Sequence, residues 1–374
     1  MRGRRAWGLV LVWILAGTVQ AQDFPTRWND QSPAEILTSL TLEEKVGQLF
    51  IVYHGPAAFM AEHGFGGSLI FSSMVKKPEE LQASLAEAQR QCKIPLLVAI
   101  DQEGGKVNRL QSVPGLENTP SATQMAEMEA AGIMAVTHPW AEAMIRLGIN
   151  TNLAPVLDPA RGPGGELTLM GKRERAFGSS PEEILAPAGA VMSSLAGNGI
   201  GCIVKHFPGY NVLQNSDHEL AVSSASLAEL EAQIVAFTQA MPRAMGVMMS
   251  SIRFTAVSET PAVLDPYWVG RARCGYSDRL VMTDDLWGGA LRGWVSGTHT
   301  VDQVDYPAED LHRLVLLAFD AGNDMLMVTF PAKAIEMKAI LVEAIPGDPV
   351  RQALLDGAVL RILQAKLDLN LFVR

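Results

Sequence analysis

Residues 199–220 read GIGCIVKHFPGYNVLQNSDHEL. An apolar run ends there in Lys205 and His206 and opens, past Pro208 and Gly209, into a loop crowded with titratable groups. A run this uniformly apolar suits a strand covered on both faces, as in a parallel sheet. Seven other runs share the form: LFIVY (49–53), GSLIFS (67–72), LLVAID (96–101), NTNLAPVLD (150–158), GVMMSS (246–251), LVMTDD (280–285) and DMLMVT (324–329). Amphipathic helical stretches lie between them, clearest in PEELQASLAEAQRQC (78–92), SPEEILAPAGAVMSSLAG (180–197), SLAELEAQIVAFTQAM (226–241) and PAEDLHRLVLLAFDAG (307–322). The stretch 32–50, SPAEILTSLTLEEKVGQLF, reads as helical, opened by the capping signal of Ser32, Pro33 and Glu35. Eight such β/α units predict a TIM-type (β/α)8 barrel in a single domain, with an open doubly wound sheet as the alternative. No G-x-G-x-x-G or P-loop opens a helix, so nucleotide chemistry has no support.

The chain has 374 residues, 48 % of them hydrophobic and 19 % charged, with a formal net charge of −10. That composition suits a packed core and argues against disorder and against nucleic acid as partner. Residues 1–21 differ in kind. Arg2, Arg4 and Arg5 precede an apolar run from Ala6 to Gly17, and Val19-Gln20-Ala21 has the small-residue form of a cleavage site. This predicts a secretory signal peptide over 1–21, a mature domain over 22–374, and a periplasmic or extracellular protein. Loss of the three arginines takes the net charge from −10 to −13. No later segment is apolar enough to span a bilayer. Cys92, Cys202 and Cys274 are odd in number and read as buried free thiols, and no Cys/His spacing suggests a metal site.

In a barrel, chemistry gathers at the C-terminal strand ends. Five runs end there in polar groups: Asp101, Asp158, Lys205 with His206, Ser250 with Ser251, and Asp284 with Asp285. The pattern favours a hydroxyl-rich or anionic ligand. In AIDQEGGKVNRL (99–110), Asp101 and Arg109 can bond sugar hydroxyls, and Gly104-Gly105 lets backbone approach a ligand. The bland alternative for the first pair is a structural Asp–Arg ion pair. Adjacent side chains at a strand end diverge, so one of Asp284 and Asp285 faces the mouth while the other caps a helix.

AIDQEGGKVNRL, NTNLAPVLD, RERAFGSSPEEI (173–184), GIGCIVKHFPG and LVMTDDL (280–286), in that order, resemble the landmarks of glycoside hydrolase family 3. The β-N-acetylglucosaminidase branch acting on cell-wall sugars is the nearest pattern, and the resemblance runs from about Leu40 to the C-terminus. It implies a TIM-type barrel and a retaining hydrolase that needs no metal or organic cofactor. It also implies Asp284 as nucleophile, Asp101, Arg109, Arg175, Lys205 and His206 as sugar contacts, and Asp285 as a supporting carboxylate. Arg109, Arg175 and Lys205 are expected to help keep Asp284 ionised.

The chain departs from the family at one place that matters. The family pattern K-H-F-P-G-H-G-[DS]-T carries a His as general acid–base, where this chain has Tyr210 followed by Asn211, Val212 and Leu213. A second departure is Ser251, at a place where the family often has a His. Asp217, His218, Glu219 and Tyr210 are the candidate replacements for the acid, with His218 and Asp217 foremost; a tyrosine is a weak acid–base near neutral pH. The alternative is an impaired or non-catalytic protein that binds cell-wall sugars. The expected partner is a carbohydrate, and the expected state a monomer.

Overall fold

A computed structural model describes residue 28 and residues 31–297 and 307–372. The signal-peptide reading of 1–21 lies outside the described residues. All eight apolar runs contribute a strand: β1 (Phe50–Tyr53), β2 (Gly67–Ile70), β3 (Leu97–Ile100), β4 (Thr151–Asn152), β5 (Gly201–Phe207), β7 (Gly246–Met249), β9 (Leu280–Met282) and β10 (Leu326–Val328). Two two-residue strands, β6 (Val222–Ser223) and β8 (Arg253–Phe254), pair with each other outside this sheet. The main sheet is parallel throughout, in the order β10-β1-β2-β3-β4-β5-β7-β9. A parallel bridge between Met282 and Met325 joins its two ends, so the sheet closes into a barrel. Helices lie between successive strands, as the βαβ crossover requires.

Local chemistry sets the element boundaries. The opening helical stretch is two helices, Pro33–Thr38 and Leu42–Gln48, because Thr41 and Glu44 form a second capping box behind that of Ser32 and Glu35. The run NTNLAPVLD pairs as strand only at Thr151–Asn152. Pro155 has no N–H to give the ladder, which resumes as a single bridge from Val156 to Lys205. The four helical stretches predicted at 78–92, 180–197, 226–241 and 307–322 fold as Pro78–Gln91, Pro181–Ala196, Leu227–Ala240 and Ala308–Asp320.

Between barrel and helices lies a continuous apolar layer. Phe207 meets Phe237 and Trp268 edge to face there, at centroid distances of 5.4 and 6.4 Å. Burying each such ring stabilises the fold by about 1.5–3 kcal/mol. Cys92 and Cys202 are buried in this layer as expected, but Cys274 is exposed, because it follows the helix Pro266–Arg273 at the surface. Among the described residues no helix is long and apolar enough to cross a membrane, and no group of three or more His, Cys, Asp or Glu is placed to hold a metal.

Candidate active site

The strand ends surround a cleft of about 190 Å³ at the C-terminal mouth of the barrel. Asp101 beyond β3, Lys205 and His206 on β5, Met248 on β7, Asp284 beyond β9 and Met327 on β10 line it, joined by Arg109, Arg175, Tyr210 and Asp217 from loops. Consecutive strand residues normally face opposite sides. Against β7, however, the register of β5 slips between Lys205 and Phe207, and both Lys205 and His206 reach the cleft.

A four-residue ion network forms one wall. Lys205 Nζ lies 2.6 Å from Asp101 Oδ1 and 2.7 Å from Glu103 Oε1. Arg175 donates to both Glu103 oxygens, from Nε at 2.7 Å and from a terminal nitrogen at 2.8 Å. Burial alone would raise the Glu103 carboxyl, but the Arg175 and Lys205 charges outweigh it and hold it far below its ordinary value. Burial likewise works against charge on Lys205, and Asp101 and Glu103 more than offset it, so the ammonium is held above its usual value. The Arg175 loop is anchored by Thr123, whose N–H and hydroxyl donate to the carbonyls of Glu174 and Ala176.

Glu103 was absent from the expected contacts. Its signal was the spacing Asp101-x-Glu103, which places two carboxylates two residues apart just beyond the end of β3. The alternative of a structural Asp101–Arg109 ion pair does not form: Asp101 pairs with Lys205. Arg109 instead lies over the Phe71 ring at 5.3 Å, and its buried Nε has no hydrogen-bond partner among the described residues. The Gly104-Gly105 turn also has a different cause from close approach to a ligand. Both residues have positive φ, and a Cβ on Gly104 would lie 2.1 Å from the Pro120 carbonyl oxygen.

Three of the polar strand ends support the site from behind. Asp158 is fully buried and accepts from the backbone N–H of His206 at 3.0 Å and of Tyr210 at 2.7 Å. Its second oxygen takes a 2.5 Å bond from His206 Nδ1, which leaves Nε2 as the ring atom available to a ligand. Asp285 accepts from the N–H groups of Trp287 and Thr329 and from the Thr329 hydroxyl, tying the ends of β9 and β10 together. Ser250 and Ser251 are buried and do not line the cleft; the Ser250 hydroxyl accepts from Ile252 N–H at 3.2 Å.

Asp284 accepts the Asp285 N–H at 2.8 Å. Burial pushes its carboxyl above the ordinary aspartate value; His206 opposes the rise and Asp217 adds to it. The expectation that Lys205, Arg109 and Arg175 keep Asp284 ionised therefore fails. Lys205 and Arg175 are committed to Asp101 and Glu103, and Arg109 to the Phe71 face.

The loop after β5 separates the two foremost acid candidates. Both are exposed, but Asp217 lines the cleft and His218 lies outside the lining. Tyr210 is buried, its hydroxyl donating to the Gln214 carbonyl at 2.6 Å and accepting from Ser216 N–H at 2.8 Å. Burial pushes that phenol up to about 12. The carbonyls of Asp217 and Ser216 in turn accept from Gly289 and Ala290 N–H, at 3.1 and 3.3 Å, where the helix Gly289–Ser296 begins. These bonds hold the loop against the exit of β9.

The family model for the glycosyl hydrolase family 3 N-terminal domain matches residues 41–365. A β-hexosaminidase of Alkalilimnicola ehrlichii is 30 % identical over 298 residues, 76 % of this chain and 79 % of that one. The β-hexosaminidase LpqI of Mycobacterium tuberculosis is 28 % identical over 349 residues, 89 % of this chain and 85 % of its own. Among solved structures, the β-N-acetylhexosaminidase of Beutenbergia cavernae superposes with a TM-score of 0.72 at 28 % identity, covering 87 % of this chain and 98 % of that one. A match across most of the barrel, with a polar cleft at the strand ends, leaves one assignment: the chain belongs to glycosyl hydrolase family 3, on its β-hexosaminidase-like branch.

Proposed function

We propose that this protein hydrolyses terminal β-linked N-acetylglucosamine, from peptidoglycan or chitin-type fragments, by a retaining mechanism with Asp284 as nucleophile and Asp217 as acid–base. The observation that carries this reading is the placement of Asp284 and Asp217 together in the lining of one cleft. A retaining glycosidase needs two such carboxylates. The ionised Asp284 attacks the anomeric carbon as its bond to the leaving oxygen breaks, and that oxygen takes the proton of Asp217. Water then displaces the Asp284 ester while Asp217, now a base, accepts the proton of the water. Asp101, Arg109, Arg175, Lys205 and His206 hold the sugar, with Glu103 fixing Lys205 and Arg175. The arginine-led segment 1–21 favours action outside the cytoplasm, and the chain is proposed to work as a monomer without metal or organic cofactor.

One observation favours a second reading, a sugar-binding protein with little turnover. Tyr210, which stands where the family pattern has its acid–base His, has a hydroxyl tied to the loop and pushed up to about 12, and so is unfit to supply the proton. Turnover of two aryl β-N-acetylglucosaminides, one with a good leaving group and one with a poor one, decides between the readings. Rates on both, with Asp217→Ala slowing the poor substrate about 10²–10⁴-fold more than the good one, are expected of the hydrolase. No turnover of either, with N-acetylglucosamine still raising the melting temperature, would establish the binding role.

A further inference from the structure

Glu103 and Arg175 also line a small internal cavity, which offers about 10 Å³ to a water-sized sphere. Gln102 and Trp140 share its wall with an apolar surround that includes Val156 and Phe177. Gln102 is 0 % exposed and Trp140 1 %. All but one of the hydrogen-bonding groups of Gln102 are accounted for. Its backbone N–H donates to Asn152 Oδ1 at 2.9 Å, its carbonyl accepts from Asn152 Nδ2 at 2.9 Å, and its Oε1 accepts from Leu110 N–H at 3.1 Å. The last bond fixes the orientation of the amide, and Nε2 has no partner among the described residues. The indole Nε1 of Trp140, on the helix Ala130–Leu147, has none either. The carboxylate in the same wall has capacity to spare. Oε1 of Glu103 takes Lys205 and one Arg175 nitrogen, and Oε2 takes only Arg175 Nε, whereas an ionised carboxylate has about four acceptor positions.

We propose that this cavity binds one water molecule, which accepts from Gln102 Nε2 and Trp140 Nε1 and donates to Glu103 Oε2. The chemistry of the wall selects it. A cation would meet two N–H donors and a guanidinium, an anion would meet the Glu103 charge, and an apolar guest would leave both buried donors unpaired. One water needs about 10–15 Å³ by the same measure and two to four polar partners, and the cavity supplies both. The two donors fill its lone pairs, and its own hydrogen fills the remaining position on the carboxylate. Gln102 and Trp140 do not line the cleft. They hold the water against the ion network of Asp101, Glu103, Arg175 and Lys205 from within the protein, whatever the cleft binds.

A crystal structure of the full-length protein, resolved finely enough to show ordered solvent, tests the site. A single peak is expected at about 2.7–3.2 Å from Gln102 Nε2, Trp140 Nε1 and Glu103 Oε2. In solution, the heteronuclear NMR spectrum should show a nuclear Overhauser cross-peak between the Trp140 indole proton and water, as a long-lived internal water gives. The chain has seven tryptophans, and Trp140→Phe identifies the signal by its loss. If that variant does not fold, assignment through the Trp140 backbone amide identifies it in the wild-type protein. An empty cavity, a peak out of reach of either nitrogen, or an indole proton with no cross-peak to water would refute the proposal. A peak carrying an anomalous signal would also refute it and make the cavity an ion site.

Discussion

Lys205 Nζ stands within 2.7 Å of Glu103 Oε1, and the two are buried together at the wall of the cleft. Neither charge has water to fall back on, so each depends on the other and on Arg175 and Asp101.

Glu103→Ala is therefore expected to lower stability by about 3–5 kcal/mol, because it strands buried cations. Urea unfolding measures it. The acid dependence follows from the same pairing. The folded Glu103 carboxyl sits below its ordinary 4.5, so its contribution is complete above that value and fades only as the pH falls toward the lower folded value. The stability gap between wild type and Glu103→Gln should close on acidification below about pH 4.

Asp284 has the opposite sign. Its folded carboxyl is raised by burial and by Asp217. The favourable contribution of such a group is present below its unfolded value and disappears as the pH climbs through the folded one. Asp284→Asn should thus raise the melting temperature at pH 7, with a gain that shrinks toward pH 4. A variant less stable than wild type at neutral pH would contradict this account.

The adjacent aspartates should part company on substitution. Asp284→Ala is expected to remove turnover and any covalent trapping while leaving the fold intact. Asp285→Ala orphans the N–H groups of Trp287 and Thr329 at the ends of β9 and β10, at about 1–3 kcal/mol for each donor left unpaired. Paired measurements of rate and of unfolding free energy check the split, and the reverse pattern would exchange the roles.

Tyr210→Phe removes the hydroxyl that bridges Gln214 and Ser216. A loss of about 1–3 kcal/mol is expected from the unpaired Ser216 donor. Faster hydrogen exchange at the Ser216 amide should accompany it. The pH–rate profile should keep its shape, since a loop brace transfers no proton; loss of a limb of that profile would make Tyr210 a participant.

The barrel was legible in the sequence because a parallel strand buried on both faces leaves an apolar run with a polar end, and each of the eight runs yielded a strand. The site was legible only in part. Asp101, Arg109, Arg175, Lys205, His206, Asp217 and Asp284 do meet in one cleft. Which of them pair is a matter of side-chain reach across strands, and spacing along the chain carries none of it. Lys205 is 104 residues from its partner Asp101, and Arg175 is 72 from Glu103. Asp158 read as a mouth residue because a strand end looks the same in sequence whether its side chain meets solvent or turns back beneath a neighbouring loop. His218 and Asp217 are adjacent in sequence, and only the turn held by Tyr210 puts one in the cleft and the other outside it.

The two amide bonds from Gly289 and Ala290 to the carbonyls of Asp217 and Ser216 clamp the loop carrying Asp217 to the segment that follows Asp284. In a two-carboxylate glycosidase the gap between the carboxyl groups dictates whether the product keeps or inverts its anomeric configuration. Here the loop that carries Asp217 is held by these main-chain bonds and by the Tyr210 hydroxyl between Gln214 and Ser216. One residue added to or removed from the stretch between Tyr210 and Asp217 would shift Asp217 against this clamp, and with it the gap between the two carboxyl groups, while leaving the ends of β3 and β5 in place.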